Sequence, residues 1–223
     1  MGRFFTPPAR WHGGHYELEL RLGRRSDPRL TAALRALWSH PALEGPYADR
    51  DREPTAQDKV DPLHGLDDHL RGFATLPGGA RTPCGSFPHR LGAEDVAGED
   101  GLSFYLPVVG LTIAWPQVGR FPFPEPERPD DPGFPFPERW RRVDDRPWQE
   151  PLEEWFAEIG SVVFDAVDFR AGLVGFEIYV EAREWNRWVA RGVPEKRGIG
   201  ILRPGPGGLE WYPATMWGRW EPS

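Results

Sequence analysis

The chain has one cysteine, two lysines and no long unbroken apolar run, and each scarcity closes off a class of explanation. With Cys84 alone, no disulfide can form within the chain, so a disulfide-stapled fold is excluded and a reducing, cytoplasmic setting is the expectation. The longest mostly apolar stretch, Leu102 to Trp115, is interrupted by Pro107 and Gly110 and falls short of the roughly 20 residues that a membrane-crossing helix needs. Met1 to Trp11 holds no apolar segment of the signal-peptide kind. Gly2 with Thr6 fits the short N-myristoylation pattern, but Phe5, Pro7 and Pro8 read as an extended arm, and no membrane association is expected. The chain also lacks a Walker loop, G-x-G-x-x-G, G-x-S-x-G and H-E-x-x-H, which lowers the weight of an enzymatic reading. Lysine is confined to Lys59 and Lys196, a skew that fits a GC-rich bacterial genome and carries no chemistry of its own.

What is present begins with charge. A formal net charge of −7 argues against a general nucleic-acid binder, because affinity for phosphate backbones comes from neutralisation by Lys and Arg. Gly and Pro, at 26 each, approach the level of low-complexity disorder, yet 11 Trp and 13 Phe imply an aromatic-rich core that a disordered chain would not need. At 223 residues the chain can bury enough surface to fold without metals or cofactors, and a single domain over 1–223 is expected.

Periodicity places the elements. Tyr16, Leu18, Leu20 and Leu22 alternate with Glu17, Glu19 and Arg21, the pattern of a half-buried strand. Asp27 reads as an N-cap with Pro28 at the first helical position; Leu30, Ala33, Leu34, Leu37 and Trp38 then form one apolar face, and Pro41 ends the helix. Leu43 to Pro62 has no sustained period and reads as an acidic surface loop. Leu70–Leu76 and Ala80–Phe87 flank Pro77-Gly78-Gly79 as a hairpin. Leu102–Leu106 is a further strand, and Gly110–Trp115 is expected to extend the sheet. The stretch 117–148, with FPFPE at Phe121–Glu125 and again at Phe134–Glu138, reads as a long Pro- and aromatic-rich loop, since repeated proline removes backbone donors.

Beyond it, Pro151 opens a strong amphipathic helix that buries Leu152, Trp155, Phe156, Ile159, Val162, Val163 and Ala166. Leu173–Val180 reads as a central strand, Glu181–Arg191 as a short helix closed by Gly192, and Gly198–Arg203 with Leu209–Tyr212 as a final hairpin. The order predicts an α+β fold: a mainly antiparallel sheet of about seven or eight strands, two main helices on one face and a short third helix.

Several clusters could carry chemistry. His64, Asp67, Asp68 and His69 offer metal-suitable ligands within six residues, though a solvated loop collects the same residue types; His12 and His15 are a weaker pair. Cys84 and His89 lie five apart in a strand and so point to opposite faces, which leaves the thiol without a base. Glu177 and Glu181, with Tyr179 between them, could pair for acid–base work, or simply form the solvent side of the strand. Trp211, Trp217 and Trp220 suit either hairpin packing or a contact surface.

These features imply a non-enzymatic, cytoplasmic protein-binding module of the inhibitor or immunity type, with no cofactor. Glu44, Asp49, Asp51, Glu53, Asp58 and Asp61, with Trp217 and Trp220, would meet a basic protein partner, complementary charge speeding encounter and setting specificity. The alternative is a metal-dependent hydrolase or other small-molecule enzyme built on His64, Asp68 and His69.

Overall fold

The computed structural model describes residues 5–66, 68–90, 98–118, 148–178 and 192–215; the side chains of 64 and 65 lie outside this set. In chain order the elements are β1 (His15–Arg24), α1 (Asp27–Ser39), β2 (Leu43–Tyr47), β3 (Leu70–Thr75), β4 (Arg81–Arg90), β5 (Glu99–Pro107), α2 (Val108–Ala114), α3 (Gln149–Ala166), β6 (Ala171–Phe176), β7 (Gly200–Gly205) and β8 (Gly208–Tyr212). The strands form one sheet in the order β2-β3-β4-β5-β1-β6-β7-β8, every neighbouring pair antiparallel. The expected α+β architecture is therefore the observed one. No helix among the described residues is long and apolar enough to cross a membrane.

The alternation in β1 sends Tyr16, Leu18, Leu20 and Leu22 into the main core, where they meet Leu102, Phe104 and Leu106 of the neighbouring β5. Leu30, Leu34 and Leu37 of α1 and Leu152, Phe156, Ile159 and Val163 of α3 close over the same layer, so both long helices cover one face of the sheet. Each such fully buried side chain contributes about 1.5–3 kcal/mol relative to exposure. The cap of α1 is Ser26, one residue before the expected Asp27: its hydroxyl accepts from the Arg29 N–H at 3.4 Å. Asp27 thereby enters the first turn, beside the positive end of the helix dipole.

Three segments depart from expectation, the first being the strand expected over Leu173–Val180, which runs over Ala171–Phe176 and ends before Glu177 turns to positive φ. Gly110–Trp115 is not a strand extension, because the chain turns into α2 directly after Pro107. Pro107 cannot donate to a ladder, and the first α2 amides find partners elsewhere, Val108 donating to the Gly14 carbonyl at 3.0 Å and Val109 to that of His12 at 3.1 Å. The acidic stretch is not wholly loop either, since Leu43–Tyr47 pairs with β3 as an edge strand. Pro46 is tolerated there because an edge leaves one row of donors unused. The 117–148 loop, apart from its first two residues and Trp148, and the helix expected at 181–191 lie outside the described residues.

Close approach requires glycine at position 72. A Cβ on Gly72 would stand 2.4 Å from the Glu44 carbonyl oxygen and 2.6 Å from the Trp38 ring, and the carbonyl belongs to β2 backbone that cannot yield alone. Gly72→Ala is expected to cost about 1–3 kcal/mol by overpacking and to loosen β2 first. Hydrogen exchange should show faster exchange at Leu43–Tyr47 than in β1; uniform protection in the variant would contradict this.

Candidate functional site

The face of the sheet opposite α1 and α3 differs from the expected solvent side of a half-buried strand. Glu17 and Arg21 are each at least nine-tenths buried, as are Ser103 and Tyr105 beside them. The antiparallel register explains the grouping. Glu17 pairs across to Tyr105, Glu19 to Ser103, and Ser103 in turn to Phe87, so one row of the sheet carries Phe87, Ser103 and Glu19. His89 follows Phe87 two residues on, on the same face of β4. Small apolar clusters flank this strip: Ala171, Leu173 and Ile201 on the β6–β7 side, and Phe5, Tyr47 and Phe73 on the β2–β3 side. The result is a polar trough between two apolar shoulders.

Aromatic rings line one wall of the trough. The His15 ring lies 4.4 Å from Tyr105, and His69 stacks on Phe87 at 4.6 Å with an interplanar angle of 19°. Phe87 also meets His89 edge-on at 4.4 Å. Tyr105 can lie this deep because the facing residue is glycine: a Cβ on Gly85 would be 2.4 Å from its ring. Burial pushes the Tyr105 hydroxyl up to about 12 and holds His15 and His69 below the ordinary histidine value.

The charged centre is Glu17, Glu19 and His89. His89 Nε2 stands 2.6 Å from Ser103 Oγ and 3.2 Å from Glu19 Oε2, while the Ser103 hydroxyl donates to Glu19. Burial works against charge on His89, but its hydrogen bond to Glu19 and the fields of Glu19 and Glu17 hold its proton above the ordinary value. Glu17 accepts from the Ile178 N–H at 2.6 Å, yet burial raises its carboxyl to about 7. Glu177 closes the end of the strip with φ 41°, a left-handed conformation that costs a non-glycine residue roughly 1–2 kcal/mol. Strain of this kind gathers at functional positions.

This is not a nucleophile relay. Such a relay needs the hydroxyl on one imidazole nitrogen and the carboxylate on the other. Here Ser103 and Glu19 both approach Nε2, and the Ser103 proton is already committed to Glu19. Among the described residues the arginines around the trough are drawn elsewhere. Arg21 and Arg170 pair with Glu99, and Arg71 donates to the Ala48 and His69 carbonyls at 2.9 and 3.1 Å. Among the described residues His89 is the one basic group within ion-pair distance of Glu17 or Glu19.

The residues singled out from sequence are dispersed. Glu44 pairs with Arg81 and accepts from the Tyr47 hydroxyl, Glu53 accepts from the Phe5 and Thr6 amides of the N-terminal arm, and Asp61 faces Arg35 at 3.6 Å. These three anchor the acidic segment. Asp49, Asp51 and Asp58 are exposed, on a loop pinned by Gln57, whose amide donates to the Asp49 and Arg52 carbonyls at 2.6 Å. Asp68 accepts from its neighbour His69 N–H at 2.6 Å, and the His69 ring is on Phe87. Among the described residues no group of three His, Cys, Asp or Glu converges as a metal would require. The His64 side chain, Asp67, Tyr179, Glu181, Trp217 and Trp220 lie outside them. Cys84 is buried in the helix-side core with its thiol raised by burial, on the face opposite His89 as strand parity requires.

Glu17, Glu19, His89 and Ser103 escaped the sequence reading because Ser103 and Glu19 are 84 residues apart. The available signal was the charged side of the β1 alternation. No protein-family model matches this chain, and comparisons with curated proteins and with solved structures return no match.

Proposed function

We propose that the chain is a non-enzymatic protein-binding module of the inhibitor or immunity type, taking a basic partner at the face of its sheet opposite α1 and α3. One observation carries this reading: two carboxylates, Glu17 and Glu19, share a strand face on which, among the described residues, the neighbouring guanidinium groups of Arg21, Arg170 and Arg71 are drawn to other acceptors. A buried carboxylate without a full counter-charge is costly, and a partner's arginine or lysine supplies what the fold withholds. The half-buried apolar side chains packed on those clusters, Ile199 and Tyr212 on one side and Trp11 on the other, give such a contact area to bury.

The acidic loop borders the same face. Arg71 of β3 ties the Ala48 carbonyl, and the Arg50 charge is felt at Tyr105. Asp49, Asp51 and Asp58 therefore act as the outer charges that speed encounter, while the trough sets the hold. A cytoplasmic setting suits a lone, buried Cys84.

The test uses the full chain as bait in extract from its native host at low salt. A basic protein should be retained in stoichiometric amount, and Glu17→Gln/Glu19→Gln should weaken its retention by at least about tenfold. Equal retention by the double variant would remove the trough from the account. Substituting Asp49, Asp51 and Asp58 by Asn should instead slow association with little change in dissociation.

A further inference from the structure

The trough already contains a small planar N–H donor set on a carboxylate. His89 presents its Nε2–H to Ser103 Oγ and Glu19 Oε2 together, with Phe87 standing edge-on beside the ring. This is the contact set that a guanidinium makes: in-plane N–H donors toward oxygen acceptors and an aromatic ring alongside. His89 and Glu19 are also the accessible end of the cluster, their side chains 34% and 15% exposed, whereas Ser103 and Tyr105 lie at the buried end.

From this arrangement, and resting on the proposed function, we infer that the group recognised is a partner's arginine, whose guanidinium takes the place of the His89 imidazolium on Glu19 and sends the histidine proton into solvent. The exchange balances. One ion pair is broken and one formed, neutral imidazole remains, and one proton leaves.

The groups facing His89 favour the exchange in one direction. From β1 it meets Glu19, with the charges of Glu17 and Arg21 also bearing on it; from β5, Ser103; from its own strand, Phe87; and just before β3 stands His69, whose own proton is disfavoured by burial and by charge on Arg71 and His89. Glu19 and Glu17 hold the proton on His89, so a permanent cation on Glu19 removes the reason for it to stay. Arginine never gives up its own proton at these pH values, which makes the exchange one-way in charge. Lysine would satisfy the charge without the planar fork.

The experiment follows the histidine ring resonances of the full chain by NMR through a pH titration, with and without saturating capped hexa-arginine peptide. His89 is assigned by comparison with His89→Gln. Bound peptide should lower the midpoint of His89 by about one pH unit or more, and peptide affinity should rise several-fold between about pH 6 and about pH 8. Hexalysine should bind several-fold more weakly, and a hexacitrulline peptide, which lacks the charge, should leave His89 unmoved. An unchanged His89 midpoint in the saturated complex would overturn the exchange while leaving the trough as a binding site. Unaltered peptide binding by Glu19→Gln, or no binding by the wild-type chain at either pH, would overturn both.

Discussion

Phe156→Ala is expected to lower the unfolding free energy by about 3–5 kcal/mol, a large part of the roughly 5–15 kcal/mol that holds a domain of this kind together. Phe156 is fully buried where α3 crosses the two central strands. Its ring stacks on Tyr16 of β1 at 5.9 Å and meets Phe104 of β5 edge-on at 5.7 Å. The cavity left by truncation cannot close easily. Tyr16 is held by its hydroxyl, which donates to Glu153 at 2.6 Å and accepts from Gln149 at 2.9 Å, so it cannot swing into the space without leaving buried polar atoms unpaired. Urea unfolding of wild type, Phe156→Leu and Phe156→Ala should rank in that order of stability. A loss below about 1 kcal/mol for alanine would mean that α3 is not anchored through this ring.

Glu17→Gln is expected to do the reverse and stabilise the chain above neutral pH, by an amount on the order of 3 kcal/mol. The carboxyl of Glu17 is raised from 4.5 to about 7 on folding, chiefly by burial. Between those values the unfolded chain has released the proton that the folded chain keeps. The contribution of this group to stability is therefore greatest below about pH 4.5, falls as pH rises, and reaches its lowest level above about pH 7. The substituted side chain, a neutral amide, cannot ionise and escapes that loss. The two proteins should have similar urea midpoints near about pH 5 and diverge by about pH 8, the variant being the more stable. A variant less stable than wild type at the higher pH would show that the Ile178 N–H to Glu17 bond outweighs desolvation. A wild-type residue that lowers stability at neutral pH is characteristic of a position held for binding, as the proposed function requires.

Burial raises the Glu153 carboxyl too, so the sign of its pH dependence is the same, but hydrogen bonds offset part of the cost. There Tyr16 and Gln149 donate to one of its oxygens, beneath the helices and away from the trough. Glu153 rigidifies the junction of α3 with β1; Glu17 faces the side on which a partner can arrive.

Legibility in the sequence followed the range of the interaction. β1, α1, the β3–β4 hairpin, α3, β6 and the β7–β8 hairpin each announce themselves through spacing within a dozen or so residues, because periodicity of 2.0 or 3.6 is a local property. α2 did not, since Val108 to Ala114 is rich in residues that also suit strands, and the decisive event was the meeting of its first amides with the His12 and Gly14 carbonyls. β2 did not, since only the partner strand β3 makes Leu43–Tyr47 extended.

The amino-acid order by itself determined the helix-facing core: where apolar side chains recur at the period of their element, burial needs only that some second layer exist, and the sheet and helices had to meet on those faces. Tertiary structure alone decided the trough. Which carboxylate stands beside which imidazole depends on strand register, and register is a sum of backbone pairings among β4, β5 and β1 that no one segment encodes. A shift of one residue in any of those pairings would send Glu19, Ser103 or His89 to the opposite face, leaving the same composition without the site.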